Sequence, residues 1–179
     1  MIWESAPWKD DLLQRGEDLR RRMDQRRWPE ASFVRLEQGL MLGFYSIRKL
    51  IEAGKLSDSV AGQSVRLSRF ANVPGKRVTR LNWHRLEDLY DLSDSSWDSR
   101  RLGFICNQFI HSYVFAISQD ESGGFGGVFF ASDQQRHKGL FFIAADQIVD
   151  VFESVGRDYP ASGEMRWDEE LEDYRVSGA

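Results

Sequence analysis

The spacing of apolar residues changes along this chain, and that change restricts the fold more than any other feature. Over much of the chain before residue 110, apolar side chains recur every three or four residues, as on one face of an α-helix. From Tyr113 to Ile117 they fall on every second residue, as in a β-strand with one buried face. Helical and strand segments are therefore grouped rather than alternating, which predicts an α+β fold instead of a parallel α/β sheet.

Two long helices are predicted at the N-terminus. The first covers residues 7–27, with Pro7 in the first turn, where its missing N–H is not needed. The second carries one continuous apolar stripe, which consists of Phe33, Leu36, Leu40, Phe44, Ile47 and Ile51. Gly54 is expected to end it. The pair predicts a helical hairpin, with Phe44 and Ile47 buried against later strands.

The middle of the chain predicts a strand or hairpin followed by helices. Residues 64–70 alternate between apolar and polar side chains, and a turn signal after them suggests a return strand at 76–80. A short helix is expected near residues 83–90. Ser95, with an aspartate three residues later, is typical of a helix start and predicts a helix over residues 97–110.

The last third of the chain predicts three strands and a helix. Strands are expected at residues 112–118, 125–132 and 140–144, and a helix is expected to follow, capped by Asp146 and ended by Gly156. The connections are of hairpin length, which implies antiparallel pairing. The complete expectation is an N-terminal helical hairpin and an antiparallel sheet of about three to five strands, with a C-terminal helix packed on it.

Composition favours one domain inside a reducing compartment. A chain of 179 residues predicts a single α+β domain over residues 1–160, and residues 161–179 form an acidic tail whose order the sequence leaves open. Cys106 is the one cysteine, so no disulfide framework forms within the chain, and its apolar helix face predicts an inert thiol. Neither a signal peptide nor a membrane span is visible. We expect a cytoplasmic protein without a membrane partner.

The usual signatures of metal and cofactor sites are incomplete in this sequence. His84 and Asp88 could share one helix face, but two ligands do not make a zinc site. The glycine-rich segment 123–127 lacks the Lys-Ser/Thr of a phosphate-binding loop and lies between two predicted strands. We therefore expect no metal and no cofactor.

One polar cluster has the residue types of metal-free RNA cleavage. Arg100, Arg101, Asn107 and His111 lie on or beside one predicted helix, and such a reaction needs a proton-transfer group and a cation for the phosphate. The arginine-to-histidine pattern resembles the motif of HEPN-type ribonucleases, although the spacing between Arg101 and His111 is longer here and those domains are all-helical. Alternatively, His111 has a structural role at the end of its helix.

The N-terminal helix offers the most plausible partner surface. It combines arginine and tryptophan, which are common anchors of protein interfaces. The residues are Trp3, Trp8, Arg20, Arg21, Arg22, Arg26, Arg27 and Trp28. A net charge of −4 disfavours nucleic acid as the partner without excluding it.

Two functions therefore remain open. The preferred one is a non-enzymatic protein-interaction or accessory module of a bacterial cytosolic system, which binds another protein or itself through the N-terminal helix. The alternative is a small metal-independent ribonuclease-like effector that uses Arg101, Asn107 and His111.

Overall fold

The N-terminal part of the chain folds into the two long helices that its apolar periodicity predicts. A computed structural model describes residues 2–170 and 172–178. Helix α1 is Ala6–Met23 and helix α2 is Glu30–Glu52. The chain leaves α2 through Gly54, whose φ of 61° lets the N–H groups of Gly54 and Lys55 bond to the carbonyls of Ile51 and Leu50.

The remaining elements build one antiparallel sheet, with helices between its strands and a separate hairpin. In chain order they are α3 (Asp58–Ala61), β1 (Ser64–Asn72), α4 (Leu86–Leu89), β2 (Tyr90–Arg101), α5 (Leu102–Ile110), β3 (Ser112–Gln119), β4 (Phe125–Ser132), β5 (Leu140–Ala144), α6 (Ala145–Gly156), β6 (Gly163–Asp168) and β7 (Asp173–Gly178). The five-stranded sheet has the order β2-β1-β5-β4-β3, and β6 pairs with β7 alone. The predicted α+β class is confirmed.

The two faces of the sheet are covered differently. Helices α1, α2, α5 and α6 bury one face in the main core, where β4 and β5 contribute Phe130 and Phe141. On the opposite face, a smaller cluster forms around Leu140 and is covered by the segment that includes Val78 and Leu89. Helix α1 packs chiefly against α6, while α2 packs against α5. Phe44 and Ile47 are fully buried as predicted, but the rings beside Phe44 belong to helices α5 and α6.

The middle of the chain differs from the sequence-based expectation. Residues 76–80 are not a strand, and β1 instead pairs with β2, with Ser64 opposite Arg101, and with β5 on its other side. The predicted helix over 97–110 begins only at Leu102, because the residues before it belong to β2. Strand β2 is rich in Ser and Asp, which are depleted in strands, so its pairing with β1 decides its conformation and local propensity does not.

Candidate functional site

The arginines of the predicted partner surface are engaged within the fold at the end of α1. Arg20 forms an ion pair with Glu153 of α6. Arg21 and Arg22 both bond to Asp18, at 3.3 and 2.9 Å. Glu153 and Asp18 therefore offset part of the positive charge of these three arginines.

The connection between α1 and α2 is held against the β3–β4 turn. The Trp28 indole N–H lies 2.8 Å from the carbonyl oxygen of Gly123, and Arg26 donates to the carbonyl of Met23 at 3.1 Å. Trp28 thus fixes the turn in place, whereas Arg27 is exposed. Of these predicted contact residues, Trp28 has a structural role in this fold.

The N-terminal tryptophans lie in different surroundings. Trp3 is 95% exposed, and Trp8 is half buried beside the core. Trp8 also lines an open, mainly apolar groove of about 340 Å³ between α1 and α2, together with Leu42 and Tyr45. An ion pair between Asp11 and Arg15, 2.6 Å apart, lies beside it on α1. The structure therefore joins a predicted residue, Trp8, to apolar residues of α2 that the sequence analysis did not select.

The outward face of α2 extends this apolar surface along the helix. Leu42 and Tyr45 are 51% and 45% exposed, and Val34 is 46% exposed. The row of residues along this face is Glu30, Val34, Gln38, Met41, Tyr45 and Lys49, of which Val34, Met41 and Tyr45 are apolar, with successive spacings of four, four, three, four and four residues. The same helical period that predicted the buried stripe could have revealed this second one.

The predicted RNA-cleavage residues are divided between the two ends of α5. Arg101 precedes the helix and His111 follows it, so they are separated by about 15 Å along the helix axis at 1.5 Å per residue. Arg100 bonds to Asp98 at 2.8 Å and stacks over the Phe104 ring at 4.9 Å. Neither arginine lines the groove that contains His111.

Asn107 and His111 share a polar groove of about 620 Å³ at the C-terminal end of α5. Its other lining residues are Phe104, Gln108, Ser132 and residues 133–135. The strand order brings these groups together, because β4 ends beside the start of β3, where Ser132 pairs with Ser112. The sequence analysis missed Gln108 and Ser132, which lie far apart in the chain.

The thiol and the possible metal ligands offer no reactive centre in the part of the chain that the structure describes. Cys106 is fully buried in the main core, and burial raises the pKa of its thiol to about 12. Among residues 2–170 and 172–178, no three His, Cys, Asp or Glu side chains are placed to hold a metal ion. No helix in these ranges is long and apolar enough to cross a bilayer.

Comparison with protein-family models, with curated proteins and with solved structures finds no match for this chain.

Proposed function

We propose that this chain is a non-enzymatic protein-interaction or accessory module of a bacterial cytosolic system, and that its contact surface is the outward face of α2 with the adjoining α1–α2 groove. The single observation that supports this is the exposed apolar stripe on α2. Val34, Leu42 and Tyr45 lie on one side of one helix, each about half exposed. Several exposed apolar side chains on one side of a helix are typical of protein contact sites.

The occupant that fits this surface best is a second copy of the same chain, with the two α2 helices antiparallel. In that arrangement, Glu30 near one end of the stripe faces Lys49 near the other end of its partner. Val34 then faces Tyr45 of the partner helix. Residues 30 and 49 are equally far from the middle of the row, and so are residues 34 and 45. A twofold contact of this type requires a self-complementary surface. Glu30 and Lys49, which also pairs with Glu52 of its own helix at 2.6 Å, place opposite charges at the two ends.

The test is the oligomeric state of the full chain, measured by sedimentation velocity over a range of concentrations. The wild type should be a dimer, and Leu42→Lys should weaken the dimer about tenfold or more, because it places a charge in the apolar contact. Leu81→Lys is the matched control, since Leu81 is 87% exposed and lies away from α2. A wild type that remains monomeric at high concentration would contradict the proposal.

A charge exchange tests the antiparallel arrangement. Glu30→Lys should weaken the dimer by placing a lysine opposite Lys49. Adding Lys49→Glu should restore it, because the two charges are then opposite again. If the double variant is weaker than the single variant, the helices are not paired in this way.

The second candidate is the ribonuclease-like effector, and the shared groove of Asn107 and His111 favours it. Arg101 lies at the other end of α5, so the reaction would need another cation for the phosphate. The assay uses a mixed RNA pool without divalent metal, with thermal melts alongside. Cleavage that disappears in a folded His111→Gln variant would establish this function, because proton transfer requires the imidazole. Cleavage that persists in that variant would exclude His111 as the catalytic group.

A further inference from the structure

The polar groove at the end of α5 contains a buried side chain with an unused hydrogen-bond donor. Gln108 is 5% exposed, and its Oε1 accepts a hydrogen bond from the Ser132 backbone N–H at 2.9 Å. Because the backbone N–H can only donate, the carboxamide orientation is fixed and Nε2 is the remaining group. Among the described residues, Nε2 has no hydrogen-bond partner. Nε2 keeps some solvent access through the groove, so an acceptor on a ligand can reach it.

Further polar groups around Gln108 are also free of internal partners. The Ser132 side chain is 5% exposed, and its hydroxyl makes no hydrogen bond within the described part of the chain. The side chains of Asn107 and His111, which line the same groove, likewise have no hydrogen-bond partner among residues 2–170 and 172–178. An amide, a hydroxyl and an imidazole each offer both a donor and an acceptor.

The wall opposite α5 is held in place before any ligand binds. The loop that follows Ser132 is anchored at the carbonyl of Arg136, which accepts hydrogen bonds from the Tyr90 hydroxyl and the Asn72 amide, both at 2.9 Å. Arg69 donates to the carbonyl of Lys138 at 2.6 Å. A preformed wall reduces the ordering that binding would otherwise require.

The charged side chains beside this groove are paired with each other. Asp133 forms an ion pair with Arg136 at 2.8 Å, and the Arg136 guanidinium stacks over the Tyr113 ring at 3.7 Å. The described lining contains no lysine or arginine that could bind an anionic group. The Phe104 ring, which also contacts Arg100 and Phe141, adds an apolar surface to the groove. The preferred ligand is therefore uncharged, has donors and acceptors along its edge, and has a planar face.

We infer that this groove binds a neutral heterocycle of the nucleobase type, as the free base or the nucleoside. Its volume of about 620 Å³ lies within the usual range for small-molecule sites. Gln108, Ser132 and Asn107 bond to the edge of the base, and Phe104 contacts its face. This site is separate from the α2 surface, and base binding requires neither dimer formation nor RNA cleavage.

The test is a binding measurement by saturation-transfer and protein-amide NMR, with the full chain and the four uncharged ribonucleosides as probes. At least one nucleoside should bind at millimolar concentration or below and shift the amide signals of His111 and Ser132. Neutral monosaccharides and a dipeptide amide are offered in parallel. Binding of either in place of every nucleoside overturns the proposed ligand class, and no binding of any nucleoside overturns the proposal.

Two variants test whether the nucleoside binds in this groove. Ser132→Ala removes a hydroxyl that has no internal hydrogen bond, so the fold should be unaffected, and Asn107→Ala removes a half-buried amide. Each should weaken nucleoside binding about tenfold, the expected loss for one buried hydrogen bond. Ser68→Ala is the matched control, a strand serine outside the groove. Equal binding by the wild type and both groove variants, with unchanged thermal melts, would place the ligand elsewhere and overturn the assignment.

Discussion

At the scale of single residues, Lys9 is a buried ionisable side chain whose charged group is held by specific neighbours. Lys9 is 1% exposed, and its ammonium donates to the carbonyls of Lys55 and Asp158 while lying over the Tyr159 ring. Burial lowers the pKa of this amine. Lys9 thereby joins α1 to the chain that follows α2 and to the chain that follows α6.

Replacing Lys9 by methionine should destabilise the protein by about 2–4 kcal/mol, because two partly buried carbonyl groups lose their donor. The measurement is the free energy of unfolding from urea titration. Lys76→Met serves as the control, since Lys76 is exposed in a loop and its replacement should cost less than about 0.5 kcal/mol. Equal effects of the two substitutions would show that the Lys9 contacts contribute nothing.

The Cys106 thiol should make stability fall as the solution becomes alkaline. The pKa of this thiol in the fold, about 12, lies above its ordinary value of 9.0. Its contribution to the free energy of unfolding is therefore complete below pH 9 and is lost as the pH rises toward 12. The free energy of unfolding should fall by about 1 kcal/mol per pH unit from this group. In Cys106→Ala, which is less stable at neutral pH, this part of the slope should be absent.

Comparing the two proteins removes other alkaline effects, including that of Tyr90, whose pKa burial also raises. In the native wild type at neutral pH, a thiol reagent should label Cys106 only at the rate of unfolding. Rapid native labelling, or identical pH slopes for the two proteins, would disprove the buried-thiol interpretation.

At the scale of elements, helix α2 organises the core because aromatic rings from two other helices meet on it. Phe44 stacks on Phe109 of α5 with ring centroids 3.9 Å apart, and Phe152 of α6 approaches edge-on at 5.4 Å. Gly43 makes this approach possible, since a Cβ at this position would lie 2.3 Å from the Phe152 ring. Helix α2 therefore lets the Phe152 ring approach its backbone at a position that has no side chain.

Two glycines of α2 should respond in opposite ways to alanine. Gly43→Ala should lower the free energy of unfolding by about 1–3 kcal/mol, because the added methyl group overlaps a fully buried ring. Gly39→Ala should raise it by about 0.5–1 kcal/mol, because its Cβ meets no atom closer than 3.7 Å and alanine favours the helix. Chemical denaturation measures both, and a stabilising Gly43→Ala would refute the close approach.

At the scale of the whole molecule, the sheet and its helices form the packed body, and the β6–β7 hairpin is peripheral to it. Trp167 and Tyr174 pair across the hairpin at 5.1 Å, yet both are more than half exposed. The Gly178 N–H lies 3.5 Å from Asp58 Oδ1 of α3. A two-stranded hairpin contributes little stability of its own.

Truncation after Pro160 should therefore leave the rest of the protein folded. The free energy of unfolding, followed by far-UV circular dichroism, should change by less than about 1 kcal/mol, because the described side chains of β6 and of residues 172–174 are largely exposed. The full chain is the reference. A loss of several kcal/mol, or a truncated chain that does not fold, would show that the hairpin belongs to the packed domain and that the predicted boundary at residue 160 is misplaced.

Local pattern by itself determined the helices and strands whose apolar residues repeat regularly. The buried stripe of α2, the alternation in β1 and β3, and the positive-φ residue Gly54 each depend on near neighbours in sequence, so their conformations could be predicted. The apolar helix face around Cys106 likewise indicated a buried thiol. These features need no knowledge of which distant segments meet.

Only the tertiary structure decided β2 and the surfaces for which we propose functions. Strand β2 consists largely of Ser and Asp, and it is extended because its backbone groups pair with β1. The polar groove joins Gln108 to Ser132, and the separation of Arg101 from His111 follows from where α5 begins. Hydrogen bonds and packing between residues distant in the chain set these arrangements, and no local sequence period records them.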